Sequence, residues 1–224
     1  MRELVERGHI FIAQPPLYKI RKGKQEQYLK DDIELAEYQT PTALDGASLH
    51  VNSDAPWITD DALDSLVKKY NNSYAIISRL ARLYPTEILE AMIFTRSLGE
   101  DELKSEAQVQ KWLEELSAKF TEMYASVSIN YTFEAIKTQE RQLFLPEAKL
   151  NLHGLEKSFG FSRDFFHSGE YRALTDLGQT LEGLIETSAF VKRGEKTAEI
   201  SSFAEAVEWL TNDAMKGNYL QRYK

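Results

Sequence analysis

The sequence predicts an α+β fold, and three observations carry the prediction. Between residues 59 and 123, apolar residues recur at helical spacing in stretches opened by capping residues or a proline. Between 127 and 152, apolar and polar residues alternate instead, the period of a strand with one covered face. Helical spacing returns after Ser168.

The elements follow in order. Ile10 to Ala13 is apolar on both faces, which suits a buried strand of a parallel sheet. Pro15 and Pro16 lack amide hydrogens and end it. Leu17 to Arg21 and Lys24 to Leu29 are two extended segments around Lys22-Gly23, where glycine supplies the positive φ of a hairpin turn. Asp45-Gly46 marks another turn, before a short strand through Leu49 and Val51. Thr59 is expected to cap a helix, with Asp60 and Asp61 at the positive end of its dipole and Ile58 and Leu63 as a hydrophobic staple. Its stripe is Leu63, Leu66, Val67, Tyr70, Tyr74, Ile77 and Tyr84. Pro85 ends that helix and starts another through Ile88, Leu89 and Met92. A capping box at Ser105 to Gln108 opens the next, with the stripe Val109, Trp112, Leu113, Leu116, Phe120 and Met123. Aromatic stripes of this kind read as core.

Val127 to Ala135 alternates as a half-buried antiparallel strand, and Ala148, Leu150 and Leu152 do so against Lys149, Asn151 and a solvated His153. Ser168 caps a helix through Tyr171, Leu174, Leu181, Leu184 and Ile185. Ser202 to Glu205 is a capping box for a short helix with Phe203, Ala206, Val207 and Leu210 inward, Lys216 in its last turn and Gly217 as its stop. "NYLQRYK" is then extended, and an ending on a strand-like segment reads as a cut within a longer protein.

Composition bounds the chemistry. The 224 residues suffice for one large domain or two modest ones. No cysteine is present, which excludes disulfides and thiolate-metal sites and fits a reducing compartment. No secretory signal or long apolar span is visible, so a cytoplasmic protein without a membrane partner is expected. Histidines 9, 50, 153 and 167 form no paired motif, and no metal site is expected. The net charge of −8 is unevenly spread. Residues 1–30 hold seven Lys or Arg against three acids, +4, whereas residues 31–200 hold 17 against 29, −12. An acidic middle disfavours generic nucleic-acid binding and suits basic protein partners.

No phosphate loop, GxSxG, HExxH or dinucleotide turn occurs. Asp31-Asp32 and Asp60-Asp61 sit at element ends and read as solvated or capping. The basic hairpin, with Lys19, Arg21, Lys22, Lys24 and Lys30, is either a charged edge that resists aggregation or an arm that contacts phosphates.

"ELVERGHIFIAQPPLYKIRKGKQEQYLKDD" resembles the segment of bacterial DNA gyrase B that follows the Asp-x-Asp motif of its TOPRIM domain, and "YLQRYK" resembles a later strand of that domain. "TALDGASLH", "SGEYRALTDLGQTLEGLIE" and "AFVKRGEK" resemble the large insertion of Gram-negative gyrase B. Ile20 and Arg21 stand where the family often has valine and lysine. The corresponding component of the related topoisomerase IV shares the proline-tyrosine-lysine segment but is not expected to carry this insert.

The resemblance implies an α+β insertion domain, residues 33–200, on a partial α/β TOPRIM host of Rossmann-like type whose sheet is incomplete. Residues 1–32 and 201–224 would be the host parts. It implies a component of a type II topoisomerase that takes part in ATP-dependent negative supercoiling, using Mg2+ and ATP, with DNA gyrase A and double-stranded DNA as partners. The family's metal and ATP residues precede residue 1 and its cleaving tyrosine is on gyrase A, so no catalytic residue carries over and a catalytically silent piece is expected. Lys19, Arg21, Lys22, Lys24, Arg222 and Lys224 are the candidate DNA-proximal residues. The alternatives are the topoisomerase IV counterpart and a non-enzymatic acidic protein-docking module.

Overall fold

A computed structural model describes residues 15–52, 55–126, 129–138, 142–152 and 155–223. The expected strand at Ile10 to Ala13, and also Val127, His153 and Lys224, lie outside the described residues. The described elements are mixed α+β, with small antiparallel sheets.

The chain opens with β1 (Tyr18–Lys22) and β2 (Gln25–Leu29), the expected hairpin. Gly23 turns it with φ +61°, in the first of the two loop positions, where a tight hairpin needs a residue without a Cβ. The last strand, β10 (Tyr219–Arg222), pairs antiparallel with β1, so both ends of the described chain share one sheet, ordered β10-β1-β2. Tyr18, Ile20 and Leu29 are buried. A sheet this small needs a helix beneath it. Leu35 and Tyr38 of α1 (Asp32–Leu44), with Met215, supply that cover.

Helix α1 is absent from the sequence-based expectation, in which Pro41 would argue against it. Its start is firmly capped: Asp31 accepts from Glu34 N–H at 2.9 Å, and the Glu34 carboxylate accepts from Lys30 N–H at 2.7 Å. Pro41 falls near its end, where packing holds the backbone. Leu35 and Tyr38 face the first sheet, and Ala43 and Leu44 enter a different core.

That core gathers β3 (Ala47–His50), β4 (Ile58–Thr59), β8 (Phe190–Arg193) and β9 (Lys196–Glu199) into a sheet ordered β4-β3-β8-β9. Helix α7 (Phe203–Ala214) lies on it, and Phe203, Ala206 and Leu210 pack with Leu49, Leu63, Val67 and Val191. Ser202 caps the helix, its Oγ accepting from Glu205 N–H at 3.2 Å, while the Glu205 carboxylate accepts from Ser201 N–H at 2.7 Å, one residue before the cap position.

Helix α2 (Asp60–Leu80) joins two cores. Its 21 residues span about 31 Å. Leu63 and Val67 serve the core just described, and Ile76 and Ile77 serve a larger one. Thr59 holds the expected N-cap position, but its side chain makes no cap bond; it donates to Asp60 Oδ2 at 2.9 Å. Tyr84 is not on this helix, which ends at Leu80; it stacks on Phe161 with ring centres 4.7 Å apart.

The larger core holds α3 (Thr86–Ile93), α4 (Glu106–Met123), α5 (Arg163–His167) and α6 (Gly169–Leu181), with the sheet β5 (Tyr131–Lys137), β6 (Phe144–Leu152) and β7 (Leu155–Gly160). Val109, Trp112, Leu113, Leu116 and Phe120 are buried as the stripe predicts, while Met123 is exposed in the last turn. Ser105 sits at the N-cap of α4 without a side-chain cap bond. Ser168 does cap α6, accepting from Tyr171 N–H at 3.1 Å.

A buried carboxylate fastens α7 to its neighbours. Asp213 accepts from Lys196 at 2.7 Å, Lys216 at 3.0 Å and Arg193 at 3.0 Å. Arg193 also donates to the Thr42 carbonyl at 3.0 Å. The cluster ties α1, the β8–β9 hairpin and α7 together. Lys196, then Lys216 and Arg193, hold the Asp213 carboxyl well below the usual carboxylate range. A depressed carboxyl contributes stability above its unfolded value, about pH 4, and loses it as pH falls through the folded value. Asp213→Asn is therefore expected to lower the thermal midpoint at pH 7 and to flatten its fall between about pH 4 and pH 2. Parallel melting curves for both proteins would reject this expectation.

Candidate nucleic-acid interface

The cations singled out from the sequence converge on the β10-β1-β2 sheet, but its register divides them. Lys19 lies opposite Tyr28 and Gln221, and Arg21 lies opposite Glu26 and Tyr219. Side chains alternate between faces, so Lys19, Arg21, Glu26, Tyr28, Tyr219 and Gln221 share one face. Tyr18, Ile20, Lys22, Leu29 and Arg222 share the other, which packs toward α1. Lys24 lies in the turn, exposed beside Gly23. Lys224 lies outside the described residues.

Each strand-borne cation except Lys22 sits over the tyrosine across the ladder. Lys19 Nζ is 5.5 Å from the Tyr28 ring centre, Arg21 is 5.8 Å from Tyr219, and Arg222 is 5.7 Å from Tyr18. Exposed pairs of this type stabilise by about 0.5–1 kcal/mol each. Lys19 also pairs with Glu26 at 2.8 Å, which favours its charged form and occupies part of its field.

Tyr28 and Tyr219 are 54% and 55% exposed. Sequence reasoning missed both as site residues. They lie at opposite ends of the chain, and only the β1–β10 pairing brings them to one face. The arrangement offers two cations and two aromatic faces on an open surface. Such a surface can meet phosphates and flat ring systems. Among the described residues no group of three His, Asp or Glu side chains converges to hold a metal ion.

Residues 47–214 match the family described as DNA gyrase B subunit insert domain. The chain belongs to that family. A further match, to "GyrB, hook", covers residues 16–44, which hold β1, β2 and α1. The DNA gyrase B of Caulobacter vibrioides is 27% identical across the whole chain, which covers 26% of that protein. The DNA gyrase B of Helicobacter pylori is 30% identical, again across the whole chain and 25% of its own length. The B component of the type 2 topoisomerase of Aquifex aeolicus is 25% identical over the whole chain and 26% of its length. The chain thus spans about a quarter of these relatives. The resemblance of the basic hairpin and the insert motifs to gyrase B is borne out across the chain. The match to the insert family runs to residue 214, the last residue of α7, whose Phe203, Ala206 and Leu210 pack with Leu49, Leu63 and Val191. Among the described residues no helix is long and apolar enough to cross a membrane.

Proposed function

We propose that this chain is the part of a DNA gyrase B protein that carries the insert on a DNA-handling TOPRIM host. Residues 1–32 and 201–224 belong to the host in this proposal and residues 33–200 to the insert, with α7 a host helix that packs on the insert's core. The observation that carries it is the pairing of β1 with β10, which brings the hook and the chain's far end into one sheet with cations on both faces. Lys19, Arg21, Lys22, Lys24 and Arg222, with Lys224, would stand near the phosphates of double-stranded DNA. The tyrosines restrain three of these cations, so less side-chain freedom is lost on contact. Mg2+ and ATP would be bound elsewhere in the full-length protein. This stretch places DNA and braces neighbouring parts, including DNA gyrase A, during supercoiling, and it makes or breaks no bond itself.

The test is duplex mobility across a salt series with the full chain and the double variant Lys19→Glu, Arg21→Glu. Each phosphate contact adds close to one to the slope of log affinity against log salt. The variant is expected to bind more weakly, with a slope lower by about 2. An unchanged affinity and slope would remove the exposed face of this sheet from the DNA surface.

A further inference from the structure

Strand β5 is an outer strand of its sheet, with β6 on one side and no strand on the other among the described residues. The ladder determines which of its backbone groups are free. Thr138 N–H donates to the Leu143 carbonyl at 2.8 Å, and this pair continues the β5–β6 register. Alternate residues of an antiparallel strand exchange bonds with a given neighbour. Thr132, Glu134 and Ile136 therefore turn their N–H and C=O groups toward β6. Tyr131, Phe133 and Ala135 turn theirs toward the open edge.

Helix α4 packs beside that strand. Between them runs a groove of about 700 Å³, walled by Leu113, Glu114, Ser117 and Ala118 of the helix and by Tyr131 and Phe133 of the strand. Ser117 and Ala118 are small, and Ala118 is exposed, so the helix leaves room for another backbone. Natural sheets blunt free edges with proline, lysine or a covering segment. Tyr131–Lys137 contains no proline, and its one lysine is the last residue, Lys137.

We propose that the groove receives an extended strand of a partner protein, added to the free edge of β5, in which apolar residues alternate with lysine or arginine. Strand addition uses main-chain bonds for affinity and alternate side chains for specificity. Every second residue of the added strand faces α4, where Ala118 and the half-buried rings of Tyr131 and Phe133 favour an apolar side chain. The intervening residues lie on the face of Thr132 and Glu134. Charge selects the basic alternative: the face on which those intervening residues lie carries Glu134, Glu147 and Glu156 around one cation, Lys149, which pairs with Glu134 at 2.7 Å, and among the described residues no Lys or Arg lines the groove, while residues 31–200 carry −12. This inference does not depend on the DNA-contact proposal.

The test titrates the full chain with a blocked octapeptide of alternating valine and lysine, read by amide chemical shifts and hydrogen exchange. The expected result is slowed exchange at Tyr131 and Phe133 and shifts along Gln110 to Thr121. A valine–glutamate octapeptide should bind at least about tenfold more weakly. Ala118→Arg, or Thr121→Arg one turn along, should weaken the lysine peptide by a similar factor. Both positions are exposed, so an unchanged melting temperature verifies folding. Equal binding of the two peptides, shifts elsewhere, or full binding by both arginine variants overturns the proposal. Self-association without peptide that Ala118→Arg abolishes also overturns it, because the occupant is then a second copy of this chain.

Discussion

Gly178→Ala is expected to destabilise the chain by about 3 kcal/mol, near the top of the usual range for overpacking a core. A Cβ built on Gly178 stands 1.6 Å from the carbonyl oxygen of Ile93. The obstacle is backbone at the end of α3, so no rotamer change relieves it, and α3 and α6 must separate. Propensity works in the opposite direction: alanine is favoured over glycine within a helix by about 1 kcal/mol. The sign of the effect is therefore diagnostic. Gly169, at the start of the same helix, has nothing within 4 Å of the place a Cβ would take and provides the control. Gly169→Ala should be neutral or slightly stabilising. Urea unfolding of both variants separates the outcomes; a Gly178→Ala midpoint at or above the parent's would mean that α3 and α6 do not approach this closely.

The parts of the fold legible in the sequence are those where one local signal decides the outcome. Val109, Trp112, Leu113, Leu116 and Phe120 recur at helical spacing and all are buried. Ser168 and Ser202 are followed by strong periodic stripes, and both side chains cap as expected. Thr59 and Ser105 have the same local chemistry and the right positions but make no cap bond. Thr59 instead donates to Asp60 Oδ2, next to the left-handed backbone of Asp60 at φ +48°, and Ser105 follows directly on a tight turn at Glu102–Lys104.

Helix α1 was illegible for the reverse reason. Its sequence contains Pro41, and its apolar residues form no single stripe, because Leu35 and Tyr38 serve a sheet and Ala43 and Leu44 a separate core, both completed by residues distant along the chain. The short strands β7, β8 and β9 likewise gain their identity from neighbours. The cations of the candidate interface were visible at once. Their division between two faces was not, because it depends on the register of β1 with β10. The same pairing brings Tyr219 beside Arg21, a juxtaposition that no local pattern encodes.

Trp112→Ala is expected to lose about 3–5 kcal/mol, the range for removing a fully buried large aromatic side chain. Trp112 is 0% exposed at the centre of the larger core, edge-on to Phe166 with ring centres 5.7 Å apart. Its indole N–H donates to the Arg96 carbonyl at 2.7 Å. Truncation opens a cavity and also leaves that carbonyl without its donor. Trp112→Phe isolates the second effect, since it keeps most of the ring and removes the hydrogen bond. It should lose about 1–2 kcal/mol, the scale of one buried acceptor left unpaired together with a modest void. The Arg96 side chain is held independently by Glu102 at 2.5 Å and Glu115 at 3.1 Å, so the carbonyl has little freedom to seek another donor. Domains of this kind are stable by only about 5–15 kcal/mol in total. The alanine variant therefore gives up a large share of that margin, and the phenylalanine variant much less. Denaturant unfolding monitored by circular dichroism gives both values. A loss below about 1 kcal/mol for Trp112→Ala would contradict complete burial, and equal losses for the two variants would assign the whole effect to the bond with Arg96.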